Sequence, residues 1–369
     1  MNILIIPDSF KGTISSLEAG ATLKKALTSV FPSAEIDSFP ISDGGEGFLE
    51  MVESIKPELK RMEIEIFHSS LLSKKKSYIL LGEDEAYIES ALCCGYSEKS
   101  DSLDVMNSSS YPLGEAIRIA IQNGAKSIHI GIGGTITNDL GLGVLCALGA
   151  KFYSIDSISF VPTASTLHEI EFVEISKELA KGIKFRIYSD VNNPLCGEKG
   201  CAKVFGPQKG LGENQIEEID LAAKHVAELI AEALDFDKSQ EAGAGAGGGI
   251  GYMAMQCLGA QVSFGSSLAL ESLKEKLDAA DLIITGEGKC DSQTRQGKIV
   301  GEICHYAQTK KKKLIIVAGL FEDEEAFKGI YTISLSKRFG KEKSMAEPSI
   351  CIEQAIDESR LDLARFALG

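Results

Sequence analysis

Short apolar, β-branched runs stand at both ends of this 369-residue chain, and they set the main constraint on its fold. Asn2 to Ile6 is one; Asp281 to Thr285, Leu314 to Ala318 and Tyr331 to Leu335 are the others. Such runs, bounded by turn residues, read as strands covered on both faces in a parallel sheet. Helical stretches separate the last three. The texture between the two ends is different. Met62, Ile64 and Ile66 alternate with Glu63 and Glu65, as in a half-exposed antiparallel strand. Ser77 to Gly82 and Ala86 to Glu89 read as a hairpin around Gly82-Glu83-Asp84-Glu85. The length predicts two domains. The two chain ends therefore make one discontinuous α/β domain, and residues of roughly 60 to 275 make a second.

Local signals fill in the order of elements. Ser15-x-x-Glu18 is a capping-box pattern opening a helix through about Phe31, and Ala34 to Ile41 follows as a strand. Pro112 to Gln122 is expected to be a helix, Ser127 to Ile132 a strand and Asp139 to Leu148 a helix. Phe185 and Ile187 belong to a strand ending at Asp190, and Ile216 to Leu234 is apolar at helical spacing. Gly243 to Gly251 reads as a loop leading into a helix. No internal repeat is visible.

The net charge of −15 argues against a general nucleic-acid binder or an anionic membrane partner. The nine cysteines form no CxxC pair, and Cys196 and Cys201 stand without a histidine nearby, so they read as free thiols in a reducing cytosol. The N-terminus has no basic region ahead of its apolar run, and no stretch is long enough to span a membrane. The expectation is a soluble cytoplasmic protein, with a monomer and a homodimer both open.

Five loops share one grammar, a strand followed by small residues and an acid: Pro7 to Gly12, Ser42 to Gly47, Gly131 to Asp139, Ser189 to Pro194 and Gly286 to Asp291. In an open parallel sheet, ligands bind where such loops converge beyond the carboxyl ends of strands. Each loop alone is ordinary turn chemistry. Together they point to a charged ligand with a metal, because carboxylates beside phosphates need Mg²⁺ and glycines admit backbone N–H groups to phosphate oxygens. Gly243-x-Gly-x-x-Gly248 matches a dinucleotide fingerprint but lacks the preceding strand, and no GxxxxGK[ST] occurs. The lysines of Thr309 to Lys313 read as a solvated face. His129 reads as packed within its strand, and no histidine falls in the charged loops.

Seven of these segments, in order, resemble the bacterial glycerate kinase family of the type-1 group. They are Asp8-Ser-Phe-Lys-Gly12, Asp43-Gly-Gly-Glu-Gly47, Gly133-Gly-Thr-Ile-Thr-Asn-Asp139, Asp190-Val-Asn-Asn-Pro-Leu195, Val204-Phe-Gly-Pro-Gln-Lys-Gly210, Gly243-Ala-Gly-Ala-Gly-Gly248, and Thr285-Gly-Glu-Gly through Asp291-Ser-Gln-Thr294 to Gly297-Lys298. The resemblance implies ATP- and Mg²⁺-dependent phosphorylation of D-glycerate, with 2-phosphoglycerate favoured over 3-phosphoglycerate as product. It also implies a Rossmann-like three-layer domain with a parallel sheet from residues 1–60 and 276–369, an inserted mixed α/β domain over 61–275, and an active site in the cleft. The chain departs from the family's usual alanine at Ile136 and Cys201, carries Cys290 at an aliphatic position, and has Pro112-Leu-Gly-Glu115 where Gly-Thr-Gly-Glu is usual.

Roles follow as expectations. Asp190 is the candidate general base, with Asp8, Lys11 and Lys298 as further catalytic candidates and Asp8 and Asp43 as competing acids. Gly133, Gly134, Thr135, Asn138, Lys209, Gly245, Gly247 and Gly286 are candidates for holding ATP. Ser9, Asp43 and Arg295 are candidates for the substrate, and Glu287 and Asp291 for Mg²⁺. The competing readings are a nicotinamide-dependent hydroxypyruvate or 2-hydroxyacid reductase and a non-catalytic sugar-acid or nucleotide sensor.

Overall fold

The computed structural model describes residues 1–96, 104–291, 294 and 299–368. The chain divides into two compact units, one made of Met1–Asp43, Glu50–Lys56 and Ser266–Gly369 and the other of Gly44–Leu49 and Pro57–Gly265.

The first unit is built on a five-stranded sheet in the order Tyr331–Ser334, Lys313–Phe321, Leu282–Cys290, Asn2–Ile5, Glu35–Ser38. Every pairing in it is parallel, so the N-terminal strand is hydrogen-bonded beside one that lies about 280 residues later. Ile3 faces Leu282 and Ile5 faces Ile284 in register. Ile3, Ile5, Leu282, Ile284, Ile315 and Val317 share a core with Leu23 and Leu27 of the Ser16–Val30 helix and Ile352 and Ile356 of the Pro348–Glu358 helix. The alternating residues Leu4, Ile283 and Ile316 are equally buried, so both faces are covered and the unit has three layers. The capping box at Ser15 forms as expected, with Ser15 Oγ accepting from the Glu18 N–H and Glu18 Oε2 accepting from the Ser15 N–H.

The second unit holds a six-stranded mixed sheet in the order Gln261–Ser263, Lys184–Tyr188, Ser127–Gly131, Glu85–Glu89, Lys74–Leu81, Lys60–Phe67. The first four are parallel and the last two join antiparallel. The hairpin expected around Gly82 is present, with Leu80 opposite Tyr87. The unit also holds a small antiparallel sheet of Lys151–Tyr153, Ser159–Phe160 and Phe172–Glu174. The helix expected from Asp139 starts later, at Leu142, because Gly141 is left-handed at φ 75° and Asp139 turns inward to bind the helix's first amides. His129 is packed as expected, its ring stacked 4.5 Å from Tyr87 with Nδ1 2.9 Å from Tyr188 Oη. None of the nine cysteines is in a disulfide.

The lysine run is more structured than a solvated face. Lys312 Nζ donates to the Asp278 and Ala280 carbonyls at the C-terminal end of the Lys274–Ala279 helix, and Lys313 Nζ donates to Ala367 O. Among the described residues, no helix is long and apolar enough to cross a membrane.

Candidate active site

In the first unit, the loop after the N-terminal strand lies directly on the end of the Leu282–Cys290 strand. The Asp8 N–H donates to Gly286 O at 2.7 Å, and Thr285 Oγ1 donates to Ile6 O at 2.7 Å. Glycine is what permits this contact. A Cβ on Gly286 would lie 2.0 Å from Val317 O, and one on Gly288 would lie 3.2 Å from both Phe10 Cα and the Lys11 nitrogen. Gly286 thus serves the approach of strands, a tighter requirement than the phosphate contact expected of it.

That approach gathers the carboxylates of Asp8, Asp43 and Glu287 with Lys11. Burial is the main cause that pushes Asp8 up to about 7; the Asp43 and Glu287 charges push the same way, while the Ser9 amide and Lys11 oppose them. The Ser9 N–H donates to Asp8 Oδ1 at 2.6 Å, so Ser9 shapes the carboxylate's seat through its backbone. Lys11 Nζ stands 2.9 Å from Asp43 Oδ2. A carboxyl held near neutrality can take a proton in its charged form and release it again, as a general base must.

Mg²⁺ fits this donor set. It binds through one or two carboxylates with waters and substrate phosphates completing its shell, and carboxylates whose charges oppose each other's ionisation are the chemistry that a divalent cation relieves. Among the described residues no group of three or more His, Cys, Asp or Glu forms a metal cage by itself. Asp291 sits farther along the strand end, where its Oδ1 accepts from the Thr294 N–H at 3.1 Å and its Oδ2 is 3.8 Å from Lys289 Nζ. Arg295 and Lys298 lie outside the described residues.

In the second unit, three glycine-rich segments meet. A Cβ on Gly133 would come 2.6 Å from Gly45 Cα, and one on Gly131 would come 2.6 Å from Gly44 O, so two backbones run in van der Waals contact. Gly134 is left-handed at φ 62°. Ser90 holds this turn: its hydroxyl donates to Gly133 O and accepts from the Gly133 N–H, both at 3.2 Å. The Gly133 amide is therefore engaged within the protein. Glu89, buried beside it, accepts from the Leu49 N–H at 3.1 Å. Neither Glu89 nor Ser90 was expected at the site, although Glu89 ends a strand just as the expected acids do.

Thr135 and Asn138 are buried on the same loop. The loop is anchored by Asp139, whose carboxylate accepts from Ser109 Oγ, from Ser110 N–H and Oγ, and from the Gly141 and Gly143 amides at 2.7–3.3 Å. Burial raises the Asp139 carboxyl above its ordinary range, against the pull of these donors. The Gly243–Gly251 run packs on the loop's other side. Gly247, Gly248 and Gly249 all have positive φ, and Leu140 N–H donates to Gly248 O at 3.0 Å. The element before this run is the Glu213–Leu234 helix, so the strand that a dinucleotide fingerprint needs is absent.

Lys209, within the Val204–Gly210 segment, does not face solvent. It is buried, with Nζ donating to Thr137 O at 2.7 Å. Asp190 leaves its strand with Oδ1 accepting from the Gly265 N–H at 2.9 Å, and the Gly245 N–H donates to Asn193 O in the loop that follows. The second unit thus brings Gly133, Gly134, Thr135, Asn138, Lys209, Gly245 and Gly247 into one set of touching loops, joined by Asp190's loop.

The chain matches the model of the Glycerate kinase family over residues 3–366. It is 36% identical over 333 residues to Glycerate 2-kinase of Escherichia coli K12, covering 88% of this chain and 86% of that protein. It is 33% identical to Glycerate kinase of Bacillus subtilis 168, covering 86% and 85%. Among solved structures, it resembles a crystal structure from Salmonella typhimurium LT2, provisionally named glycerate kinase 2. The TM-score is 0.80 at 30% identity, covering 100% of this chain and 97% of that one.

Proposed function

The chain belongs to the glycerate kinase family, and on that premise we propose that it transfers the γ-phosphoryl group of ATP to the C2 hydroxyl of D-glycerate, with Mg²⁺, in the cytoplasm. The observation that carries the reading is the cluster of Asp8, Asp43, Glu287 and Lys11, which joins a carboxyl poised near neutrality to further acids and a cation. Phosphoryl transfer asks a protein for position and charge rather than covalent chemistry. The glycerate oxygen forms a bond to the γ-phosphorus as the bond to the departing ADP oxygen breaks, and the hydroxyl proton passes to a carboxylate.

We assign that proton to Asp8 in preference to Asp190, because burial and the Asp43 and Glu287 charges raise the Asp8 carboxyl to about 7. Glu287 and Asp43 would hold Mg²⁺, which when bound neutralises charge on the phosphates. Lys11, largely exposed beside Asp43, is placed to meet the substrate carboxylate or the moving phosphoryl. The glycine-rich loops of the second unit are assigned to the nucleotide. The choice of C2 over C3 rests on the name of the E. coli relative. The reducing compartment rests on nine cysteines with no disulfide among them.

The test is phosphorus NMR of the protein incubated with ATP, Mg²⁺ and D-glycerate. A monoester resonance that grows with ADP and matches authentic 2-phosphoglycerate supports the proposal. A match to 3-phosphoglycerate would move the acceptor to C3. Nucleotide binding without product would favour the sensor, and oxidation of NAD(P)H by hydroxypyruvate would favour the reductase.

A further inference from the structure

Three sequence segments with no local relation converge on one atom, the carbonyl oxygen of Thr137. Lys209, from Val204–Gly210, donates to it from a buried position at 2.7 Å. Gly248, from the Gly243–Gly251 run, lies against it so closely that a Cβ there would stand 2.1 Å away. Thr137 itself belongs to the Gly133–Asp139 loop. A buried ammonium with a single protein acceptor is costly, and such groups are kept where they hold a specific geometry or do chemistry. Next to it, Asn138 Nδ2 is buried without a hydrogen-bond partner, while Asn138 Oδ1 accepts from Cys201 Sγ at 3.4 Å. The loop's own donors are thus incompletely satisfied, and the ammonium ties its middle at Thr137, next to the bond from the Ile136 N–H to Cys94 O.

We propose that Lys209 is a positioning residue: its ammonium pins the Thr137 carbonyl and so fixes the Gly133–Asp139 loop in the shape that receives the nucleotide phosphates, without touching them. The proposal rests on the assignment of that loop to the nucleotide. The groups facing the ammonium are Asp139 and the thiols of Cys94 and Cys201, both thiols pushed up to about 12 by burial. Burial also holds Lys209 down to about 8, so the ammonium loses its charge between pH 7 and 9, while burial raises the Asp139 carboxyl above its ordinary range. Above that range its bond to the carbonyl loses charge assistance and weakens.

The experiment is amide hydrogen exchange on the full chain without nucleotide, followed by calorimetric titration with a non-hydrolysable ATP analogue, for wild type and Lys209→Met at pH 6.5 and 9. Lys209→Met should exchange faster over residues 133–140, with peptides of the Leu282–Cys290 strand unchanged. It should bind the analogue about tenfold more weakly at pH 6.5, as expected for losing a charge-assisted hydrogen bond, with little further change at pH 9. Wild type should weaken severalfold between the two pH values. Unchanged loop exchange in the variant with weaker binding would make Lys209 a direct phosphate ligand and overturn the proposal. If the variant does not fold, the wild type decides: exchange over 133–140, corrected for its intrinsic pH dependence, must rise between pH 6.5 and 9, and no rise overturns the proposal. Failure of wild type to bind the analogue, with the exchange difference intact, would instead remove the nucleotide assignment and leave the clamp standing.

Discussion

Lys11 Nζ and Asp43 Oδ2 stand 2.9 Å apart, joining the loops that follow two neighbouring parallel strands of the first unit. The lysine side chain is 74% exposed, so the pair contributes roughly 0–1 kcal/mol to stability. Its larger effect is electrostatic, because Lys11 lowers the Asp8 carboxyl's affinity for a proton. Lys11→Met should therefore leave the melting temperature within a few degrees of wild type. It should also move the acidic limb of the kcat–pH profile to higher pH, since Asp8 then ionises later. An unmoved limb would show that Asp8 does not govern it.

Asp8 carries a second, opposite-signed prediction. Its carboxyl is raised from 3.8 to about 7, so the folded state holds the proton more tightly than the unfolded chain does. The stability this provides is complete below pH 3.8, falls as pH rises toward 7, and stays lost above it. Asp8→Asn removes the ionisation. The variant should be more stable than wild type at pH 8, by on the order of a few kcal/mol, with the advantage shrinking toward pH 4. If Asp8 is the base, kcat should fall roughly 10²–10⁴-fold with a modest change in KM. Asp190→Asn, measured beside it, decides between the two carboxylates: the base is the one whose loss lowers kcat while KM holds.

Much of this was readable from the chain. The runs at Asn2 and Asp281 marked two strands of one parallel sheet because burial on both faces leaves no polar alternation to hide them. The acids at strand ends marked Asp8, Asp43 and Glu287, since an acid after an apolar run has little packing reason to be there. What escaped was non-local. Ser90 looks like any strand-end serine until Gly133 folds against it. Lys209, on a Gly/Pro-framed turn, carried no sign of burial, because the carbonyl it serves lies 72 residues earlier. The start of the Leu142–Leu148 helix was missed for a similar reason. Asp139 resembles the first residue of a helix, but its carboxylate is spent on Ser109 and Ser110 from another segment.

The Asp139 cluster gives a stability prediction independent of catalysis. Asp139→Asn replaces one carboxylate oxygen by an amide donor facing other donors, leaving buried N–H groups unpaired. It should cost about 3 kcal/mol in the unfolding of the second unit. Ser110→Ala removes a hydroxyl that donates to Asp139 at 2.8 Å and accepts from the Val144 N–H at 3.2 Å, and should cost about 1–2 kcal/mol. Because both act on one network, the double variant should lose less than the sum, and urea titrations of the three variants would show it. Strict additivity would mean that the two groups are not coupled.

Two glycines with similar backbone conformations separate the cost of a left-handed residue from the cost of a close contact. Gly210 has φ +87° with nothing within 4 Å of a built Cβ, whereas Gly248 has φ +69° and a Cβ that would lie 2.1 Å from Thr137 O. Gly210→Ala should cost only the left-handed penalty, about 1–2 kcal/mol. Gly248→Ala adds a collision with backbone that cannot rotate away, and must displace the Thr137 carbonyl or the glycine run itself. Its cost should exceed that of Gly210→Ala by about 2 kcal/mol or more in urea titrations. Because the displaced carbonyl is the one Lys209 holds, Gly248→Ala should also speed amide exchange over residues 133–140, which Gly210→Ala should leave unchanged. Equal destabilisation by the two substitutions would mean that the contact at Thr137 yields easily and cannot fix the loop.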